Sequence, residues 1–230
     1  MAPRLVAGMV ERPRLFALLD RGASGPVTLV SAPAGSGKTM LLSSWLRSSP
    51  PPGAVAWVSV ERDESDTTHF WGTIMDALRD SGAIAPDDPL ATLAPAPLGG
   101  HEEFVRRLID GLGRLPRTVY LILDDLHHLR SADGPASVEH LLARAPAQLR
   151  TFVVSRHDPK LGLHRLRVSG ELTEIRAADL NFTADEAAEL MAAAGVAVEA
   201  SDLARLRDRT EGWAAGLRLA AMSLTRHETP

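Results

Sequence analysis

Val27-Thr28-Leu29-Val30, then Ser31-Ala32-Pro33-Ala34-Gly35-Ser36-Gly37-Lys38-Thr39, then Met40-Leu41-Leu42-Ser43-Ser44-Trp45-Leu46 read in order as an apolar strand, a glycine loop and a helix. Gly35 and Gly37 permit positive φ and a close backbone approach, so successive N–H groups can converge on one anion. The helix that starts there adds unpaired amides and partial positive charge. The chain has 25 Lys plus Arg, yet only Lys38 and Lys160 are lysine. One of its two compact ammonium groups therefore stands inside the loop, a place an Arg fork would fit poorly. Phosphate is the anion this arrangement suits: Lys38 can reach the β- and γ-phosphates and the Thr39 hydroxyl can hold Mg²⁺. Ala34, Gly35, Ser36, Gly37, Lys38, Thr39 and Met40 are the candidate binding residues of this segment. The general pattern G-x-x-x-x-G-K-[ST] would place glycine at Ala32, and Pro33 stiffens the loop in its stead. The competing reading is an ordinary strand-to-helix turn with a solvated lysine.

A second segment bears on that choice. Val119-Tyr120-Leu121-Ile122-Leu123 is a continuous apolar run, as a strand buried on both faces requires, and it ends in Asp124-Asp125. In a parallel sheet this acidic end faces the same crevice as the phosphate loop. Asp124 would orient magnesium and Asp125 would polarise the water that attacks the γ-phosphate. Capping of a following helix is the alternative use of the two acids. Thr151-Phe152-Val153-Val154 reads as another buried strand, ending at Ser155-Arg156. Arg156 there could stabilise charge on the γ-phosphate, or could pair with Asp158 at the surface.

At 230 residues and 45% hydrophobic composition the chain can build one large or two small cores. A net charge of −4 argues against a nucleic-acid-binding surface. Arg205, Arg207 and Arg209 alternate with Leu206 and Asp208 as on a solvated helix face. The absence of cysteine excludes disulfides and thiol catalysis. The run Leu5 to Val10 is too short for a secretory core, and no apolar stretch reaches membrane-spanning length, so a cytoplasmic location is expected. The eight histidines, among them His127, His128 and His140, lack metal-site spacing.

Alternation along the chain predicts a helix over 11–22, a strand at about 27–31, the loop helix to about 48, and a strand over 54–60. A helix carrying Phe70, Trp71, Ile74, Met75 and Leu78 as core residues comes next. Residues 82–100, rich in Pro, Ala and Gly, read as a loop or partly ordered insertion. Helices at 101–113 and 136–145 bracket the acidic strand, and a short strand is expected at Leu172–Ile175. The pattern is that of an α/β parallel sheet flanked by helices, over residues 1–177. From 178 to 230 only helices are expected. Thr183-Ala184-Asp185-Glu186 is a capping box, Gly195 a helix end and Ser201 a further cap. The last helix should start near Gly212 and turn Trp213, Leu217 and Leu224 inward. This helical part could cover a nucleotide as a lid, or form a bundle unconnected with the site.

Taken together, these residues resemble the N-terminal nucleotide-binding region of the MalT-like, large ATP-binding LuxR-type transcriptional regulators in the STAND class of P-loop ATPases. The blocks Arg12-Pro13-Arg14-Leu15, Ser31 to Thr39, Trp57-Val58-Ser59 with Asp63 and Asp66, Leu121 to Asp125, Val154-Ser155-Arg156, Leu180-Asn181-Phe182-Thr183 and Gly212 to Leu217 fall in the family's order. The resemblance implies a P-loop NTPase sheet of the additional-strand, AAA+/STAND-like type, with the phosphate-loop strand central and the Asp124 strand beside it. It implies ATP or ADP with Mg²⁺ as ligands. Arg12 and Pro13 would lie near the adenine, Lys38 and Thr39 on phosphate and magnesium, Asp124 and Asp125 as the acidic motif, and Arg156 as first sensor. Gly212 and Trp213 would open a lid motif near base and sugar, although the proline that related switches carry there is missing between Gly212 and Leu219.

In that family ADP favours a closed state, and inducer plus ATP favours an open, self-associating state that binds promoters, with slow hydrolysis as the reset. The family's winged helix, sensor repeats and helix-turn-helix would lie beyond Pro230, so this segment itself is not expected to bind DNA. Two other readings are an efficient stand-alone ATPase or kinase, and a nucleotide-independent interaction module with a relic loop.

Overall fold

The structure is a computed structural model in which residues 10–95 and 100–227 are described, apart from the side chains of 226 and 227. Leu5 to Met9 and part of the Pro-rich segment thus lie outside the described residues. Five strands, β1 (Val27–Ser31), β2 (Ala54–Ser59), β3 (Val119–Asp124), β4 (Leu149–Ser155) and β5 (Leu172–Arg176), form one parallel sheet in the order β2-β3-β4-β1-β5. The additional-strand architecture is therefore present. The expected neighbourhood of β1 was wrong, however: β4 lies between β1 and the Asp124 strand, and β1 is one place from the edge. The sequence shows each strand's apolar run but not its hydrogen-bonding partner, since all the central strands are equally apolar.

Helices α1 (Pro13–Ser24) and α2 (Lys38–Ser48) cover one face, while α3 (Thr67–Asp80), α4 (His101–Leu112), α5 (Gly134–Ala143) and α6 (Leu163–Ser169) cover the other. Alternate side chains of each strand feed the two cores. In β3, Val119, Leu121 and Leu123 join the α3–α6 side, and Tyr120 and Ile122 join the α1–α2 side. This two-sided burial is why the strand reads as an unbroken apolar run. The five large side chains of α3 are buried core, and Asp66 starts that helix by accepting from the Thr68 and His69 amides.

The seven-residue α6 was not expected. Only Leu163 and Leu166 are buried on it, too few to establish a period, and glycines at positive φ bound it on both sides. Residues 89–92 make a short 3₁₀ turn that seats Leu90 in the α3–α6 core.

Beyond β5 come the four-residue α7 (Ala177–Leu180), α8 (Ala184–Ala193), α9 (Ala200–Thr210) and α10 (Ala214–His227). Leu180 belongs to the α1–α2 core, whereas Ala187, Met191, Leu217 and Ala221 form a separate small core with Phe182 packed against it. The capping box at Thr183 and Glu186 is present in both directions. Two expectations fail here. Ser201 lies inside the first turn of α9, whose N-cap is Glu199 with no side-chain bond. Trp213 and Leu224 are 42% and 39% exposed, because Leu217 and Ala221, one turn apart, define the inner face of α10.

Candidate functional site

The loop, the acidic strand end and the helical cap converge at the C-terminal edge of the sheet. Gly35 and Gly37 both have positive φ, 75° and 81°, so the turn uses the freedom these glycines provide. Ala32 is not among the positive-φ residues, which explains why this loop works without glycine at that position. Ser36 and Lys38 are buried. The Lys38 ammonium donates to the carbonyls of Ala32 at 2.6 Å and Pro33 at 2.9 Å, holding the loop by its own backbone. Burial lowers the Lys38 pKa, Asp125 and Asp124 oppose that effect, and Arg156 reinforces it.

Beneath the loop, Thr39 Oγ1 donates to the Asp124 carboxylate, 2.9 Å from Oδ2 and 3.2 Å from Oδ1. Asp124 is 2% exposed, and burial pushes its carboxyl up to about 6 despite the Thr39 bond. A hydroxyl and a desolvated carboxylate in contact are the hard oxygen donors Mg²⁺ takes, so the residues present fit that ion. Asp125 has φ 56°, a left-handed turn that Asp tolerates, and its side chain is 40% exposed. It makes no side-chain cap, which removes the helix-capping alternative for this residue. Arg156 is exposed at the end of β4. Asp158, its alternative partner, instead accepts from Ser31, Arg167 and Arg176, and these bonds hold it down at about 2.

On the other side of the loop, the helical cap touches the glycines directly. The Ala215 amide donates to Gly35 O at 3.0 Å, and Trp213 Nε1 donates to Ala34 O at 3.2 Å. A Cβ at Gly35 would stand 2.8 Å from both Trp213 Cζ2 and Ala215 Cβ, so the close approach requires glycine there. Gly212, at φ 73°, pairs with Phe182 through the Phe182 amide at 2.8 Å and so shapes the cap's own turn. The bundle is thus joined to the loop, not separate from it.

A cavity of about 270 Å³ opens between loop and cap, its walls including Phe16, Gly37, Met40, Phe182, Ala214 and Arg218. Arg12 also lines it, but its guanidinium is committed: it donates to Leu180 O, Asn181 O and Glu186, and lies 4.2 Å over the Phe182 ring. Pro13, exposed at the first position of α1, and Trp213, bonded to Ala34, are not among the wall residues. Sequence reasoning missed Phe16, Phe182 and Arg218 as walls. Arg218 could have been found one helical turn beyond Ala214, had the direction of α10 been known.

Comparison with known proteins agrees with this geometry. A family profile described as AAA ATPase domain matches residues 10–154. The chain belongs to the AAA ATPase domain family. Within curated proteins this AAA ATPase domain is 32% identical over 223 residues to the serine/threonine-protein kinase PknK of Mycobacterium tuberculosis, covering 94% of this chain and 20% of PknK. It is 28% identical over 215 residues to the HTH-type transcriptional regulator MalT of Klebsiella pneumoniae, covering 93% of this chain and 24% of MalT. The chain therefore spans a fifth to a quarter of the length of these relatives. Among solved structures, a STAND protein with a tetratricopeptide repeat sensor from Pyrococcus horikoshii shares the fold at TM-score 0.57 and 18% identity, over 93% of this chain and 29% of that one. Cdc6p from Pyrobaculum aerophilum does so at TM-score 0.58 and 19% identity, over 98% and 62%. The MalT-like, STAND-type resemblance seen in the sequence is upheld.

Proposed function

We propose that this AAA ATPase domain is an ATP/ADP-binding regulatory switch with slow, Mg²⁺-dependent hydrolysis, acting as one module of a longer LuxR-type regulator. The observation that carries the reading is the Thr39–Asp124 hydrogen bond, which joins the phosphate-loop helix to the acidic strand across 85 residues of sequence. Thr39 and Asp124 would hold Mg²⁺, which supplies charge neutralisation on the phosphates when bound. Lys38 would leave its loop carbonyls for the β- and γ-phosphates, while the amides of Gly35 to Thr39 cradle them. Asp125 would receive the proton of the attacking water and Arg156 would balance charge at the γ-phosphate. The base would enter the largely apolar cavity beside Met40 and Phe182, with Arg12 and Pro13 supporting that end from the start of α1, Trp213 fixing the cap to the loop and Gly212 shaping the turn that leads into the last helix.

The same contacts support switching. Cap and loop share the cavity, so a ligand that binds the docked and undocked arrangements unequally shifts their populations. The MalT likeness supports promoter binding by other parts of a full-length regulator and nucleotide-dependent self-association. No helix among the described residues is long and apolar enough to cross a membrane, which fits a cytoplasmic module. Calorimetric titration with ADP and with ATP–Mg²⁺ tests the reading: saturable binding of both is expected, and binding of neither to folded protein would overturn it.

A further inference from the structure

Trp213 is not a wall of the cavity, so whatever it does to a ligand there passes through the loop. Its indole N–H donates to Ala34 O at 3.2 Å, and the Ala215 amide donates to Gly35 O at 3.0 Å. Those two carbonyls belong to consecutive peptides, 34–35 and 35–36, both of them trans. A trans peptide is planar, and its C=O and N–H point in opposite directions. Drawing both carbonyls to the cap therefore turns the Gly35 and Ser36 amides away from the cap. Among the described residues neither amide donates to any group, although Ser36 is buried. A free amide on a buried residue calls for a partner. Gly35 cannot hold this orientation by itself. It has no Cβ, and at φ 75° it occupies a region that glycine leaves as readily as it enters, so the peptide planes on either side are set by what grips them from outside.

We propose that Trp213 is a positioning residue for phosphate binding: together with the Ala215 amide it fixes two peptide planes of the loop, so that the Gly35 and Ser36 N–H groups are aimed at the β-phosphate while the cap is docked and released when it undocks. A donor that is already aimed spares the ligand the cost of ordering it, which is how pre-organisation raises affinity. The coupling is reciprocal. A phosphate held by the two amides fixes the same peptide planes and so strengthens the Trp213 and Ala215 bonds. The β-phosphate, and not the base, is the part of the nucleotide that feels the cap by this route. AMP, which lacks that group, is therefore indifferent to the indole bond. The inference rests on the nucleotide-binding reading of the site.

Calorimetry with ADP and with AMP, on the 230-residue chain and on its Trp213→Phe variant, tests it. Phenylalanine keeps an aromatic ring beside Gly35 and removes the donor to Ala34 O, while the Arg12–Glu186 pair still holds the cap. Trp213 is 42% exposed, so the smaller ring disturbs no core. ADP affinity should fall about 3- to 10-fold, the scale of one hydrogen bond, with AMP affinity kept within about twofold. Equal losses for ADP and AMP would show a general loosening of the cap, and no loss for either would show that the bond aims nothing; both results overturn the proposal. Wild-type protein supplies a second arm that needs no variant. Inorganic pyrophosphate brings the phosphates without the base, and the Trp213 indole N–H, followed in nitrogen-15 correlation spectra, should then exchange with solvent more slowly. Pyrophosphate binding with unchanged exchange at Trp213 would overturn the inference and leave the nucleotide reading standing. Absence of saturable ADP binding by wild-type protein would overturn both.

Discussion

In the proposed site a single side chain, Lys38, would serve two partners in turn. Its ammonium is buried and spends its donors on two loop carbonyls, so phosphate must replace those bonds with ion pairs. Lys38→Ala should weaken ATP–Mg²⁺ binding by roughly 10- to 100-fold, the scale of one charged hydrogen-bonding group. Calorimetry checks this, and unchanged affinity would falsify the assigned role. Asp125 is the contrasting case, since it lies outside the Thr39–Asp124 contact. Asp125→Asn should leave the dissociation constant near wild type and reduce the hydrolytic rate by about 10²–10⁴-fold. Equal loss of binding and rate would reassign Asp125 to magnesium or to structure.

Between elements, the joint that matters links α1 to α8. Glu186 accepts from Arg12 at 2.9 Å and from Arg14 at 2.8 and 2.9 Å while capping its own helix at Thr183. Burial pushes the Glu186 carboxyl up, but the bonds from Arg14, Arg12 and the Thr183 amide together outweigh it, and the group ends below its ordinary 4.5. A depressed carboxylate pKa stabilises the folded state above the unfolded value, and that contribution is lost as pH falls through the folded value. Docking of the cap should therefore hold from neutrality down to about pH 5 and weaken in acid below about pH 4.5. Glu186→Gln should reproduce the acid effect at neutral pH, at a cost of roughly 2–3 kcal/mol. The emission of Trp213, which touches Gly35, reports both, and an unchanged acid midpoint in Glu186→Gln would show that another group controls docking.

For the whole molecule, the sheet is buried on both faces, while the cap has its own small core and meets the rest through loop contacts and the Glu186 joint. That division suits a device whose nucleotide reports position more than it drives turnover. Steady-state hydrolysis well below the 1–100 s⁻¹ typical of kinases is expected, with ADP and ATP binding both measurable. Turnover of tens per second would identify an efficient ATPase instead.

Much of this was legible along the chain, because strands buried on both faces are written as continuous apolar runs and phosphate loops as glycine, lysine and hydroxyl at close spacing. The sequence by itself determined the α/β alternation, the Lys38 loop, the Asp124–Asp125 strand end and the capping box at Thr183. Only the tertiary structure decided that β4 separates β1 from β3, that Arg12 is bound to Glu186, and that Trp213 faces the loop and not a core. It alone set the His127 ring edge-on to His157 at the end of β4. The reason is physical. Periodicity and loop chemistry are local and survive in a linear reading, whereas strand order and the Arg12–Glu186 pairing depend on residues distant in sequence that become neighbours only when the chain closes on itself.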